Sequence, residues 1–202
     1  MKKVRMLYYT YQKGTNTMDL MKLREEALAA GFTLVEPVKI ETIHLRDEVR
    51  EMCAVNKCHA YNTNWSCPPG CGTVAECQER VNSYETGIIV ETTGELEDDF
   101  DFETMQETSK IHSAHFVEFL KHLRKDYPDL DVLPLGTGEC MNCKECTYPD
   151  APCRFPELMS SPMEGYGMVI SDVCKANDIL YNHGRGTLTY VGCYLFREGK
   201  NA

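Results

Sequence analysis

The sequence predicts an α/β fold: a mixed sheet with flanking helices, interrupted by inserted cysteine-rich loops spaced for metal binding. Three observations predict it. Short β-branched or aromatic runs alternate with longer stretches of helical periodicity. Hydrophobic residues make up 43% of the 202-residue chain, enough for a sizeable core without covalent staples. Nine of the 11 cysteines fall in two windows, 53–77 and 140–153, which are rich in Pro, Gly and Asn and lie between the periodic segments. Residues 1–202 are therefore read as one α/β domain, with cluster-binding segments at 53–77 and 138–157.

Each element has its own warrant. Residues 4–11 are aromatic-rich and predict a strand. From Asp19 to Ala30, Leu20, Leu23, Ala27 and Leu28 recur at helical spacing, and Gly31 follows as a stop. Phe32 to Ile40 reads as extended. Arg46 to Met52 predicts a short helix that delivers Cys53. Thr73 with Glu76 three residues on is a capping box, opening a helix to Tyr84. Gly87 to Thr93 predicts a buried strand, and the acidic stretch Glu95 to Asp101 a solvated loop. Phe102 to Tyr127 predicts the longest helix, with Ile111, Phe116, Phe119, Leu120 and Leu123 as its apolar stripe and Pro128 as its end. Asp131 to Leu135 reads as a strand, Pro162 to Ala176 as helical, and Leu188 to Phe196 as the final strand.

Charge narrows the partners. The net charge is −10, from 31 acidic and 21 basic residues. A nucleic-acid binder or a ligand of anionic membranes would want a basic patch instead. No apolar run approaches the ~20 residues of a membrane span, and the first ten residues are too polar for a signal peptide. An odd cysteine count without such a leader argues for a reducing, cytoplasmic setting rather than a disulfide framework.

The second window has the sharper signal. Cys140, Cys143, Cys146 and Cys153 are spaced C-x2-C-x2-C-x6-C. Two-residue gaps let neighbouring thiolates curl around one centre, and a run of three resembles, locally, the ligand run of bacterial ferredoxins. Tetrahedral zinc normally takes two separated pairs, which leaves the middle thiol crowded or spare. In two-cluster ferredoxins the last cysteine of the run serves the other cluster, so Cys153 has two possible destinations. In the first window Cys53, Cys58, Cys67 and Cys71 are the candidate ligands, with Cys77 five residues beyond. Pro68 and Pro69 fix the chain direction after Cys67. Trp65 either shields a metal centre from water or anchors core. For the fourth ligand Cys71, Cys77 and no cysteine at all remain alternatives. The thiol count fits two [4Fe–4S] clusters or one cluster drawing on both windows, with zinc as the remaining cofactor alternative.

Cys53-x4-Cys58 followed by Trp65-Ser66-Cys67-Pro68-Pro69-Gly70-Cys71-Gly72, together with Cys140-x2-Cys143-x2-Cys146 and Pro152-Cys153-Arg154-Phe155-Pro156-Glu157, resembles the family known as domain of unknown function 2284. The resemblance extends over nearly the whole chain. It implies a small, cysteine-rich prokaryotic protein, predicted to bind metal, with no established reaction.

Other residues carry weaker signals. His112, His115 and His122 share one side of the long helix without the Glu-x-x-His pattern of bundle metal sites, and read as helix-flank histidines. His59 adjoins Cys58. His183 and Arg185 lie in a turn that is either plain or a small anion-binding loop. Gly136-Thr137-Gly138 lacks the rest of a dinucleotide fingerprint. Arg154 beside Cys153 is placed to donate to cluster sulfurs or to an anionic substrate. Cys174 and Cys193 read as core residues.

Three functions remain. The first is an iron–sulfur protein acting in electron transfer or as a redox accessory, with a partner protein that docks through a basic face. The second is an enzyme in which Cys53, Cys58 and Cys67 hold a cluster with one open iron for a small-molecule substrate or sulfur. The third is a zinc-stabilised binding module.

Overall fold

Buried side chains run without alternation along the middles of the two longest strands, Ile88–Val90 and Val191–Phe196, so both faces of the sheet must be covered. The computed structural model describes residues 19–199; the strand expected over 4–11 lies outside them. Five strands form one mixed sheet in the order β1-β2-β5-β3-β4: β1 (Leu34–Val38), β2 (Thr86–Glu95), β3 (Leu130–Gly136), β4 (Ser161–Pro162) and β5 (Thr187–Glu198). Neighbours pair antiparallel from β1 through β3, and β3 pairs parallel with the two-residue β4. β5 therefore occupies the centre, in register with β2 from Thr187 opposite Glu95 to Phe196 opposite Thr86.

One face is covered by two helices, α1 (Leu20–Ala29) and α4 (Phe102–Asp126). Ile88, Val90, Tyr194 and Phe196 of the sheet pack there against Leu23, Phe116, Phe119 and Leu123. Asp19 caps α1 through Oδ1, which accepts from the Met21 and Lys22 backbone amides. Gly31 ends it at φ 109°, a left-handed conformation that suits glycine. A Cβ at this position would also lie 2.5 Å from the His115 ring.

The residues between on the same strands, Ile89, Val191, Cys193 and Leu195, point to the opposite face. That face is covered by α2 (Asp47–Ala54), α3 (Val74–Asn82), α5 (Met163–Tyr166) and α6 (Ile170–Ala176), which contribute Val81, Met163, Tyr166, Val173 and Cys174 to this second core or pack beside it. The capping box of Thr73 and Glu76 is present on α3. The cysteine windows lie on this side, between α2 and α3 and between β3 and β4.

The continuous helix expected over Pro162–Ala176 is a strand bridge and two short helices instead. Gly167 breaks it at φ 99°, with the Arg46 carbonyl where a Cβ would point, 2.8 Å away. The Arg46 amide also donates to the Gly167 carbonyl at 2.8 Å, which pins this kink beside α2. No helix among the described residues is long and apolar enough to cross a membrane.

Candidate metal centre

The second window begins where β3 leaves the sheet. Its backbone is fastened to the first window by side chains that bond across the gap. Asn64 is the hub: its Oδ1 accepts from the Ser66 amide, the Ser66 hydroxyl and the Cys67 amide, while Nδ2 donates to Glu139 Oε2 at 2.9 Å. Ser66 Oγ accepts from the Cys140 amide at 3.0 Å. Trp65 Nε1 donates to the Ala151 carbonyl at 3.0 Å, and its ring meets Tyr148 edge-on at 4.9 Å between centroids. Tyr148 donates to Asn62 at 2.9 Å. The loop is also tied internally, by Asn142 to the Leu158 carbonyl and by Arg154 to the Glu145 carbonyl.

Inside this lacing lies a cavity of about 200 Å³. Cys140, Cys143, Cys146 and Cys153 all line it, with Trp65, Met141 and Met159 among its other walls. Burial pushes the Cys140 thiol up, against the pull of hydrogen bonds at Asn142 and Ser160. Four thiols around one partly apolar cavity are a donor set for a soft metal or an iron–sulfur centre. Among the described residues, no three His, Cys, Asp or Glu side chains already stand close enough together to grip a single ion. The four thiols share one cavity without forming a closed cage.

The first window divides its cysteines. Cys53 sits in the last turn of α2 and Cys58 is exposed on the following turns. Burial raises the Cys53 and Cys67 thiols, and the neighbouring charge of Cys58 raises both further. Cys58 thus lies near both Cys53 and Cys67, and Cys67 also neighbours Cys71. Cys71 and Cys77 are both buried: the Cys71 thiol donates to the Gly165 carbonyl at 3.4 Å and the Cys77 thiol to the Cys71 carbonyl at 3.5 Å, and their closeness drives the Cys71 thiol up and draws Cys77 down. Arg50 stands over the pair, with Nη1 3.7 Å from the Cys71 sulfur and 3.9 Å from that of Cys77. Its guanidinium is clamped by the Gly165 and Gly72 carbonyls at 2.8 and 2.7 Å. Cys77 is thus the partner of Cys71.

The remaining candidates settle as follows. Arg154 is a loop tie that lines neither this cavity nor the larger cleft beside it. His59 is exposed in a left-handed turn at φ 62°. His112 is buried against Thr92, and His122 pairs with Glu26 and Asp126. Cys174 and Cys193 are fully buried in the core. His183 is turned inward: Nε2 lies 2.7 Å from Glu91 Oε2, whose carboxylate is 0% exposed and whose Oε1 has no partner. The loop of His183 therefore serves a buried acid.

His183→Ala strips Glu91 of its one side-chain partner and is expected to cost about 2–3 kcal/mol of stability. Adding Glu91→Gln removes the buried charge and should restore most of it. Denaturant midpoints of the single and double variants test this; a double variant no more stable than His183→Ala would show that the acid is not the cause.

Asn64, Arg50 and the Cys71–Cys77 pairing carry no spacing signal; only the packing reveals them. An Asn three residues before a cysteine, followed by Pro-Pro, is the one hint, because Asn caps tight turns.

The family model described as "Predicted metal-binding protein (DUF2284)" matches residues 36–196. No curated protein and no solved structure matches the chain. The matched span takes in both cysteine windows and every element from β1 to the greater part of β5. The chain belongs to this family of predicted metal-binding proteins.

Proposed function

We propose that the protein is an iron–sulfur protein that transfers electrons as an accessory to a partner enzyme, with its principal [4Fe–4S] cluster held by Cys140, Cys143, Cys146 and Cys153. The observation that carries this reading is the single cavity lined by all four thiols. The bound cluster supplies one-electron redox chemistry. The chain's own part is to hold the thiols, limit water with the half-buried Trp65 and Met159, and keep the loop in place through Asn64 and Ser66. Burial and hydrogen bonding around the sulfurs tune such a centre. The excess of acidic residues favours a partner with a basic docking face, and free thiols favour a reducing, cytoplasmic compartment.

Cys53, Cys58 and Cys67 are proposed to hold the second cluster. The engagement of Cys71 with Cys77 supports a second reading of that site, in which three thiols leave one iron open for a small-molecule ligand. Anaerobic purification, with iron, acid-labile sulfide and zinc counted per chain and spectra before and after dithionite, tests both. About eight irons and eight sulfides are expected from two clusters, and about four from the second window alone. Zinc without sulfide would overturn the iron–sulfur reading and leave a zinc-stabilised binding module.

A further inference from the structure

A cleft of about 650 Å³ lies beside the cysteine cavity between β3, Trp65 and the 149–156 loop. Its volume falls within the range of small-molecule sites, and its walls are mainly apolar, with a few polar groups. Val132, Pro134, Pro152 and Pro156 give it stiff, flat sides. Two arginines reach it, Arg124 from the last turn of α4 and Arg80 from α3.

Like Arg50 and Arg154, these two arginines bond to neutral oxygens rather than to a carboxylate. Arg24, Arg46 and Arg197 are each paired with a carboxylate. Arg124 donates only to the Glu157 carbonyl (3.1 Å) and the Val132 carbonyl (2.8 Å), which hold the guanidinium in place and leave Nη1 unused. Arg80 donates from Nη1 to the Tyr166 hydroxyl at 2.6 Å and to the Cys71 carbonyl at 3.5 Å. Neither has a carboxylate within ion-pair distance among the described residues, although the chain carries ten more acids than bases. A guanidinium cannot shed its proton, so both cations stay charged in the cleft. Asp150 is the one acid on the lining; it sits exposed on the 149–156 loop and bonds to neither arginine. Ser161, 4% exposed, adds a hydroxyl.

We propose that this cleft binds a small organic anion, a flat carboxylate drawn in by the positive charge of Arg124 and Arg80, whose apolar body lies between Trp65 and the prolines. Guanidinium forks match the carboxylate in shape as well as in charge. A bare inorganic anion would leave most of the volume to water. The inference goes beyond the iron–sulfur reading and does not need it, because the charge of the two arginines, not the Cys71 and Cys153 thiols on the lining, draws the ligand in. Trp65, Met159 and Cys153 line both cavities, so the cleft and the cysteine cavity share a wall.

The test is isothermal titration of the anaerobically purified chain with 1-naphthoate, its neutral isostere 1-naphthamide and inorganic phosphate. Metal content is measured on the same preparation, and the titration is repeated after chelator treatment. Naphthoate is expected to bind once per chain, at least tenfold tighter than naphthamide and than phosphate, with or without metal. Arg124→Gln and Arg80→Gln should each weaken it about tenfold, while Arg124→Lys retains part of the affinity. Naphthamide binding as tightly as naphthoate, Gln variants that bind normally, phosphate binding tighter than naphthoate, or no saturable heat with naphthoate would each overturn the proposal. Thermal melts confirm that the variants are folded. A chain that binds naphthoate but holds no iron would overturn the cluster reading alone.

Discussion

A Cys143→Ser chain is expected to purify with about four fewer irons and sulfides than the parent, while Cys71→Ser keeps the full complement. Cys143 is the middle thiol of the C-x2-C-x2-C run and lines the cavity with the other three. A serine hydroxyl does not replace a thiolate for a soft metal, and its three remaining neighbours are open enough to solvent to lose a poorly held cluster. Cys71 is buried, donates to the Gly165 carbonyl and lies under Arg50, which bonds the Gly165 and Gly72 carbonyls. The readout is iron and sulfide per chain, with the visible absorbance and its bleaching on reduction. Full metal in Cys143→Ser would remove the second window from the proposal. Metal lost in Cys71→Ser would return Cys71 to the ligand set and close the open iron of the second reading.

The fold is expected to lose about 3 kcal/mol between pH 6.5 and pH 4 through His112 alone. Its side chain is 1% exposed, and burial, then the neighbouring charge of His115, lowers its pKa from 6.5 to about 4. Between those values the unfolded chain binds a proton that the native chain refuses. Stability from this group is therefore complete above pH 6.5 and drains away as the pH falls toward 4. Its surroundings offer an imidazolium nothing: Thr92 Oγ1 at 3.0 Å, the rings of Phe32, Phe116 and Tyr190, and His115. Glu91 acts in the opposite sense, because burial raises its carboxyl and acid favours its folded form. The informative quantity is the difference between the parent and His112→Asn in denaturant midpoint across this range. Parallel pH profiles would refute the assignment.

Most of the elements were legible in the sequence because their signals are local. The Thr73–Glu76 box, the stripe from Phe116 to Leu123 and the stop at Gly31 each act within a turn or two of helix, and each element stands where its pattern places it, except that Ile111, read into that stripe, is 40% exposed. Pro162–Ala176 was misread because its apolar residues suit a helix, whereas the left-handed backbone at Gly167 is imposed by α2 packing against it. Spacing grouped Cys140, Cys143 and Cys146 and left Cys153 with two destinations; that all four line one cavity is a tertiary fact. The neighbours of each thiol in the first window are tertiary facts too. Which thiol faces Cys77 depends on where α3 docks and on where Arg50 reaches, both of which are tertiary facts. Asn64, Glu91 and Arg124 were invisible for the same reason: each draws its meaning from a group far away in the chain.

The central place of β5 has a consequence in time. Both cysteine windows precede it in chain order, so a growing chain exposes all of their thiols before residues 187–198 arrive to join β2 to β3. Pairings that distant are slow to form. During that interval the thiols stand on loops whose supporting sheet is still in two pieces, open to oxidants and to the wrong metals. The sheet that carries both windows is therefore complete only once β5 has joined β2 to β3.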